Sequence, residues 1–115
     1  MKIKDIISLL DAQLLTPNAN LDTHVYTACG SDMMSDVLAY VKDQAVLLTG
    51  LNNPQVVRTA DMMDMKCVVF VRGKRPDDML ITLAADKGIA VLATDKTMFT
   101  ACGLLFQNGL HGGKG

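Results

Sequence analysis

The chain has 115 residues, half of them hydrophobic, and its 11 Lys and Arg against 12 Asp and Glu leave a net charge of −1. That length carries one domain with a single core, the hydrophobic half of the composition excludes disorder, and no apolar run approaches the roughly 18 residues that cross a bilayer. A nucleic-acid binder is disfavoured, since there is no basic excess and, with no Trp, two Tyr and three Phe, few rings to stack bases.

The amino terminus, Met1-Lys2-Ile3-Lys4-Asp5, runs into an amphipathic pattern without a signal core or cleavage site, so a cytoplasmic protein without a membrane segment is expected. Ile3, Ile6, Ile7, Leu10 and Leu14 recur at helical spacing and predict a first helix over about residues 3–11. Gln13-Leu14-Leu15-Thr16 reads as a short strand stopped by Pro17, and residues 17–22 read as an exposed loop. His24 to Cys29 alternates as a strand does. Ser31 or Asp32 can cap a helix over about 33–42, with Met34, Val37, Leu38 and Val41 on one face.

From there a unit of apolar run, polar turn and helical stretch occurs three times. The runs are 45–49, 67–71 and 89–93, and the turns are Gly50-Leu51-Asn52-Asn53-Pro54, Arg72-Gly73-Lys74-Arg75-Pro76 and Thr94-Asp95-Lys96-Thr97. Asn53 is a good cap, and Pro54 fits the first helical turn, where its missing N–H costs nothing. Val56, Val57, Ala60 and Met63 form that helix's buried stripe. Pro76 starts the next helix in the same way, with Asp77 and Asp78 at the positive end of its dipole, and Gly88 ends it. The last helix runs from about Lys96 to Gln107 and is expected to bury Phe99, Cys102 or Gly103, and Phe106. Residues 1–110 read as one domain, and His111 to Gly115 as a mobile Gly-rich tail.

Apolar strands alternating with helices predict a three-layer α/β/α domain with a mostly parallel sheet of four or five strands and right-handed crossovers. Ligands of such sheets bind at the carboxyl ends of the strands, where the turns sit. The candidate ligand-binding residues are therefore Gly50, Asn52 and Asn53, then Arg72, Gly73, Lys74 and Arg75, then Thr94 and Asp95 with Thr97 beside them, and Asp32 from the preceding unit. Each also has a purely structural reading, because helix starts recruit Asn, Thr and Asp in any α/β protein. Only the turn from Arg72 to Arg75 carries more positive charge than capping requires, which makes it a candidate site for a small anionic ligand.

Catalytic and metal signals are missing. Gly73-Lys74 and Gly113-Lys114 lack the earlier glycine and the following hydroxyl residue of a phosphate-binding loop, and no G-x-S-x-G elbow or His-x-x-x-His pair occurs. Cys29, Cys67 and Cys102 form no close pair and, with His24 and His111, match no zinc spacing, so free thiols are expected. No enzyme, metal or cofactor is expected. Seven of the eight methionines, Met33, Met34, Met62, Met63, Met65, Met79 and Met98, lie in or beside helical segments. They read as core filling, with an adaptable self-association surface as the alternative.

From about Leu14 to Leu105 the chain resembles a DRTGG domain, a family similar to the N-terminal domain of HPr kinase/phosphorylase. The resemblance is carried by the order and spacing of Gly30-Ser31-Asp32-Met33-Met34-Ser35-Asp36-Val37-Leu38, Ala45-Val46-Leu47-Leu48-Thr49-Gly50, Phe70-Val71-Arg72-Gly73-Lys74-Arg75-Pro76-Asp77 and Lys87-Gly88-Ile89-Ala90-Val91-Leu92-Ala93-Thr94. After Gly50 the chain reads Leu51-Asn52-Asn53-Pro54 where the namesake motif has an Asp-Arg pair. The resemblance implies an HPr kinase N-terminal-domain-like fold and a regulatory or dimerising module, found fused to CBS domains or phosphotransacetylases or free-standing, in some cases beside iron hydrogenase subunits. The function expected from it is a non-catalytic homodimeric domain acting through protein contacts, with a hydrogenase or a metabolic enzyme as partner. The alternative is a sensor that binds a phosphorylated metabolite or adenine nucleotide at the strand ends.

Overall fold

Three strand–helix units wind in one direction across a five-stranded sheet. The structure is a computed structural model of the chain and describes residues 1–40 and 44–112. The elements are α1 (Ile3–Leu10), β1 (Gln13–Leu14), β2 (Thr27–Gly30), α2 (Met34–Tyr40), β3 (Ala45–Thr49), α3 (Pro54–Met62), β4 (Cys67–Phe70), α4 (Asp78–Asp86), β5 (Ala90–Ala93) and α5 (Met98–Gln107). The strand order is β1-β5-β4-β3-β2, parallel throughout except for β1, which lies antiparallel on β5 with Gln13 opposite Ala93.

The period of two along each strand divides the core. Leu47, Val68, Phe70 and Val91 pack with Val37, Val56, Val57, Ala60, Leu80 and Ala84, which places α2, α3 and α4 on one face. Val46, Leu48, Val69, Val71 and Leu92 pack with Ile3, Ile6, Leu10, Ala101 and Leu105, which places α1 and α5 on the other. Strands covered on both faces read as unbroken apolar runs, which is why 45–49, 67–71 and 89–93 stood out.

Helix starts follow side-chain oxygens. Asn53 Oδ1 accepts the Gln55 N–H at 2.8 Å, Asp77 Oδ1 the Leu80 N–H at 3.0 Å, and Thr97 Oγ1 the Thr100 N–H at 3.3 Å. Pro76 therefore does not begin α4 as expected. It is buried just ahead of the cap, and the helix starts at Asp78 because Asp77 supplies the capping oxygen. In the turn before α2 the Met33 N–H goes to Ser31 Oγ at 2.9 Å, and Asp32 is used elsewhere. Leu38 is exposed instead of sharing the buried face of Met34 and Val37. The expected end of that helix, with Val41, lies outside the described residues.

Other expectations are corrected. The strand read from His24 begins only at Thr27, because His24 bridges to Lys2 and the Val25 N–H bonds the Met1 carbonyl at 2.7 Å. On α5 the buried residues are Ala101 and Leu105, while Phe99 and Phe106 are 89% and 63% exposed. A small residue at 101 seats the helix on the strands, and the rings one-quarter to one-half turn away are carried outward. Met34 and Met65 do fill the core, but Met33, Met62 and Met79 stand exposed. Of the expected tail, His111 meets the edge of the sheet, its carbonyl accepting the Ala28 N–H at 2.9 Å, and residues 113–115 lie outside the described residues.

Candidate functional site

Four turns crown the carboxyl ends of the parallel strands, and contacts stitch them together in strand order. Asp32, after β2, reaches the turn after β3, where its Oδ1 accepts the Gly50 N–H at 2.7 Å and the Thr49 hydroxyl at 3.0 Å. Thr49 Oγ1 in turn accepts the Leu51 N–H at 3.1 Å. The Arg72 side chain, from the turn after β4, lies on Gly50, where a Cβ would come within 2.5 Å of a guanidinium nitrogen. Glycine at 50 is what leaves room for the arginine there.

Arg72 and Gly73 both take left-handed conformations, with φ of 59° and 70°, and this aims two successive N–H groups at the last turn. The Arg72 N–H donates to the Lys96 carbonyl at 2.8 Å and the Gly73 N–H to the Thr94 carbonyl at 2.9 Å. Thr94 is buried, donating to the Leu10 carbonyl at 2.7 Å and accepting the Lys96 N–H at 3.2 Å.

Asp32, Gly50, Arg72, Gly73 and Thr94 thus form one ridge. Arg75 turns away from it and donates to Gln13 Oε1 on β1, while its carbonyl accepts from Asn52 Nδ2 at 3.3 Å. Asp95 lies beside Gly73 and joins Asp11, Gln13 and Arg75 around a polar cavity of about 140 Å³. Asn53 is occupied as the α3 cap. Lys74 is exposed, and among the described residues neither it nor Arg72 has a carboxylate within ion-pair distance. The crown therefore offers cationic side chains, but the N–H groups of Gly50, Leu51, Arg72 and Gly73 are already bonded inside the protein. It has charge for an anion without the ready cradle of free N–H groups that phosphate loops present.

The strand order bears on the same question. Crevices in open α/β sheets form where the order reverses, and β2, β3, β4 and β5 follow one another without reversal. The crown is a ridge of turns, not the mouth of a cleft.

Reactive groups are subdued. Burial pushes the Cys67 thiol up to about 12 and raises those of Cys29 and Cys102, so no thiol has the depressed value of a nucleophile. Asp22 is held low by Lys4 and Lys2 on the surface. Among the described residues no group of three His, Cys, Asp or Glu is placed to hold a metal ion, and no helix is long and apolar enough to cross a membrane.

Sequence reasoning passed over a second surface. Between α5 and the outer edge of β2 lies an apolar groove of about 430 Å³ lined by Gly30, Met98, Phe99, Cys102, Phe106 and Leu110 among others. A Cβ at Gly30 would sit 2.8 Å from Cys102 Sγ, so glycine is what lets α5 settle on the strand end. The available signal was that residues 98–106 are apolar on nearly every side, more than one buried stripe needs.

A family profile described as the DRTGG domain matches residues 5–107. No curated protein matches the chain. Among solved structures, the fold is similar to the CBS and DRTGG domains of the regulatory region of Clostridium perfringens pyrophosphatase, complexed with the activator diadenosine tetraphosphate. The TM-score is 0.77 at 18% identity, over 92% of this chain and 46% of that one. The chain thus spans less than half of that structure, and the likeness is one of fold.

Proposed function

The chain belongs to the DRTGG domain family, and on that premise we propose that it is a non-catalytic regulatory module that acts through protein contacts as a homodimer. The observation that carries this reading is the set of large apolar side chains turned to solvent. Met33, Met62, Met79, Phe99 and Phe106 are each at least 61% exposed. Methionine adapts to varied partners, and phenylalanine in water is a standing incentive to associate. The likeness to the N-terminal domain of HPr kinase/phosphorylase, and service to a hydrogenase or other metabolic enzyme, belong to the same reading. Light scattering of the eluting protein at micromolar concentration tests it. Twice the 12.4 kDa chain mass is expected, and a single-chain mass at every concentration would overturn the homodimer.

A second reading, a sensor of adenine nucleotides or phosphorylated metabolites, is favoured by Arg72 and Lys74, which among the described residues stand without carboxylate partners at the strand ends. The fold neighbour's regulatory region is complexed with a nucleotide activator, which supports the same ligand class. Asp32, Gly50, Asn52, Asn53, Gly73, Arg75, Thr94 and Asp95 are its proposed surroundings. Thermal-shift measurements with ATP, AMP, diadenosine tetraphosphate and sugar phosphates test it. A ligand at 100 times its dissociation constant stabilises by about 2.7 kcal/mol, and the shift is expected to vanish in Arg72→Ala/Lys74→Ala/Arg75→Ala. An undiminished shift in that variant would remove these cations from the site.

A further inference from the structure

We propose that two copies associate through the outer face of α5 and the adjoining edge of β2, with the α5 helices antiparallel across a two-fold axis near Cys102 and Gly103. The proposal rests on the homodimer reading and names its surface.

Phe99, Cys102, Gly103 and Phe106 recur at the three- and four-residue spacing that puts them on one helical stripe, opposite the buried Ala101 and Leu105. Both rings are largely exposed, and His111 stacks on Phe106 with ring centroids 4.7 Å apart, which holds that ring on the outer face.

Charge selects the occupant. No Asp, Glu, Lys or Arg occurs from Thr97 to Gly113, whereas α1, α3 and α4 expose Lys4 and Asp5, Arg58 and Asp61, and Asp78 and Asp86. The groove between α3 and α4, lined by Arg58, Asp78, Met79 and Asp86 among others, is charged in the same way. A partner that brought an ion against α5 would bury it without compensation. A second copy brings an uncharged apolar face by construction.

Shape agrees with a two-fold pairing. Phe99 and Phe106 are two helical turns apart, about 10 Å, with their midpoint between Cys102 and Gly103. An axis there sets Phe99 of one copy opposite Phe106 of the second, an isologous contact that closes on itself. A Cβ on Gly103 would meet nothing within 4 Å, so each helix carries a gap at its centre that lets the two backbones approach. Phe99 and Phe106, 89% and 63% exposed in each copy, have between them about 450–750 Å² left to bury across the two copies, at roughly 150–250 Å² for a whole aromatic side chain. The half-buried Met98 and Cys102 and the walls of the groove bring this toward the roughly 1,200 Å² at which stable interfaces begin.

The test compares the masses of the full wild-type chain, Phe99→Glu/Phe106→Glu and Met79→Glu by light scattering, with far-UV circular dichroism to follow the fold. The double variant is expected to be a monomer, its association weakened about 100-fold or more, while Met79→Glu stays dimeric. In a Cys29→Ser background, copper-phenanthroline with dioxygen is expected to join two Cys102 side chains. Each thiol gives up a proton and an electron, and one S–S bond forms. A dimer that survives Phe99→Glu/Phe106→Glu overturns this face and leaves the homodimer reading standing. A wild-type chain that is monomeric throughout overturns that reading itself. Failure of Cys102 to cross-link in a chain shown to be dimeric overturns the antiparallel arrangement.

Discussion

Cys67 opens β4 with no exposed surface, among Val46, Val69 and Ala90. A thiolate there would lose its hydration and gain no partner, so its titration moves from 9.0 to about 12. The unfolded chain titrates at the ordinary value. Below pH 9 both states hold the proton and the full stability is present. Between pH 9 and about 12 the unfolded state has released a proton that the folded state keeps, so stability falls as pH rises, by about 1.4 kcal/mol per unit. Urea titrations from about pH 8 to pH 11 check this. Wild type is expected to lose stability more steeply than Cys67→Ala, and parallel losses would show that another group governs the alkaline limb. At this scale the sequence was readable wherever a residue answers to its neighbours, as Asn53 does in capping α3, while the α5 cap fell on Thr97, one residue inside the helix expected from Lys96. Asp32 was not, because its partners, the Gly50 N–H and the Thr49 hydroxyl, are 18 and 17 residues away, and only the sheet brings them near.

Elements were legible in proportion to how far their burial restricts their composition. β3, β4 and β5 are covered on both faces, so nearly every position must be apolar, and each was found to within a residue of its observed bounds. The face of α3 was equally plain, since Val56, Val57 and Ala60 stand against Gln55, Arg58 and Asp61. Helix α5 failed for the opposite reason. Met98, Phe99, Ala101, Cys102, Leu104, Leu105 and Phe106 leave no polar stripe to mark the outside, and ring size pointed inward, whereas the residues buried against the strands are Ala101 and Leu105. A helix too apolar for one face is itself a signal, and it leads to the surface proposed for dimerisation. β2 was displaced because the pairing that its alternation announced is shared with Met1 and Lys2 at one end and His111 at the other. Both of those lie far from it in sequence.

At the scale of the molecule, strand order decides what the crown can be, and strand order is not written in any local pattern. The alternation of strands and helices implied a parallel sheet. It did not imply that the winding never reverses, which removes the crevice and gathers α2, α3 and α4 on one face. The same topology makes two cores share one sheet, with Leu47 and Val68 facing one side and Val46 and Val69 the other. Neither helical layer can leave without exposing strands that the other layer still covers, so the domain is expected to unfold in one step. Leu80 on α4 and Leu105 on α5, each about 1% exposed on opposite faces, probe this directly. Leu80→Ala and Leu105→Ala are each expected to cost about 2–4 kcal/mol and to shift a single urea transition at fixed protein concentration. Far-UV circular dichroism and alkylation of Cys67 would follow the helices and the sheet interior separately. Coincident midpoints in both variants are expected from a shared sheet. A midpoint for helix loss that precedes Cys67 exposure in one variant only would mean that the layer on that face comes away by itself.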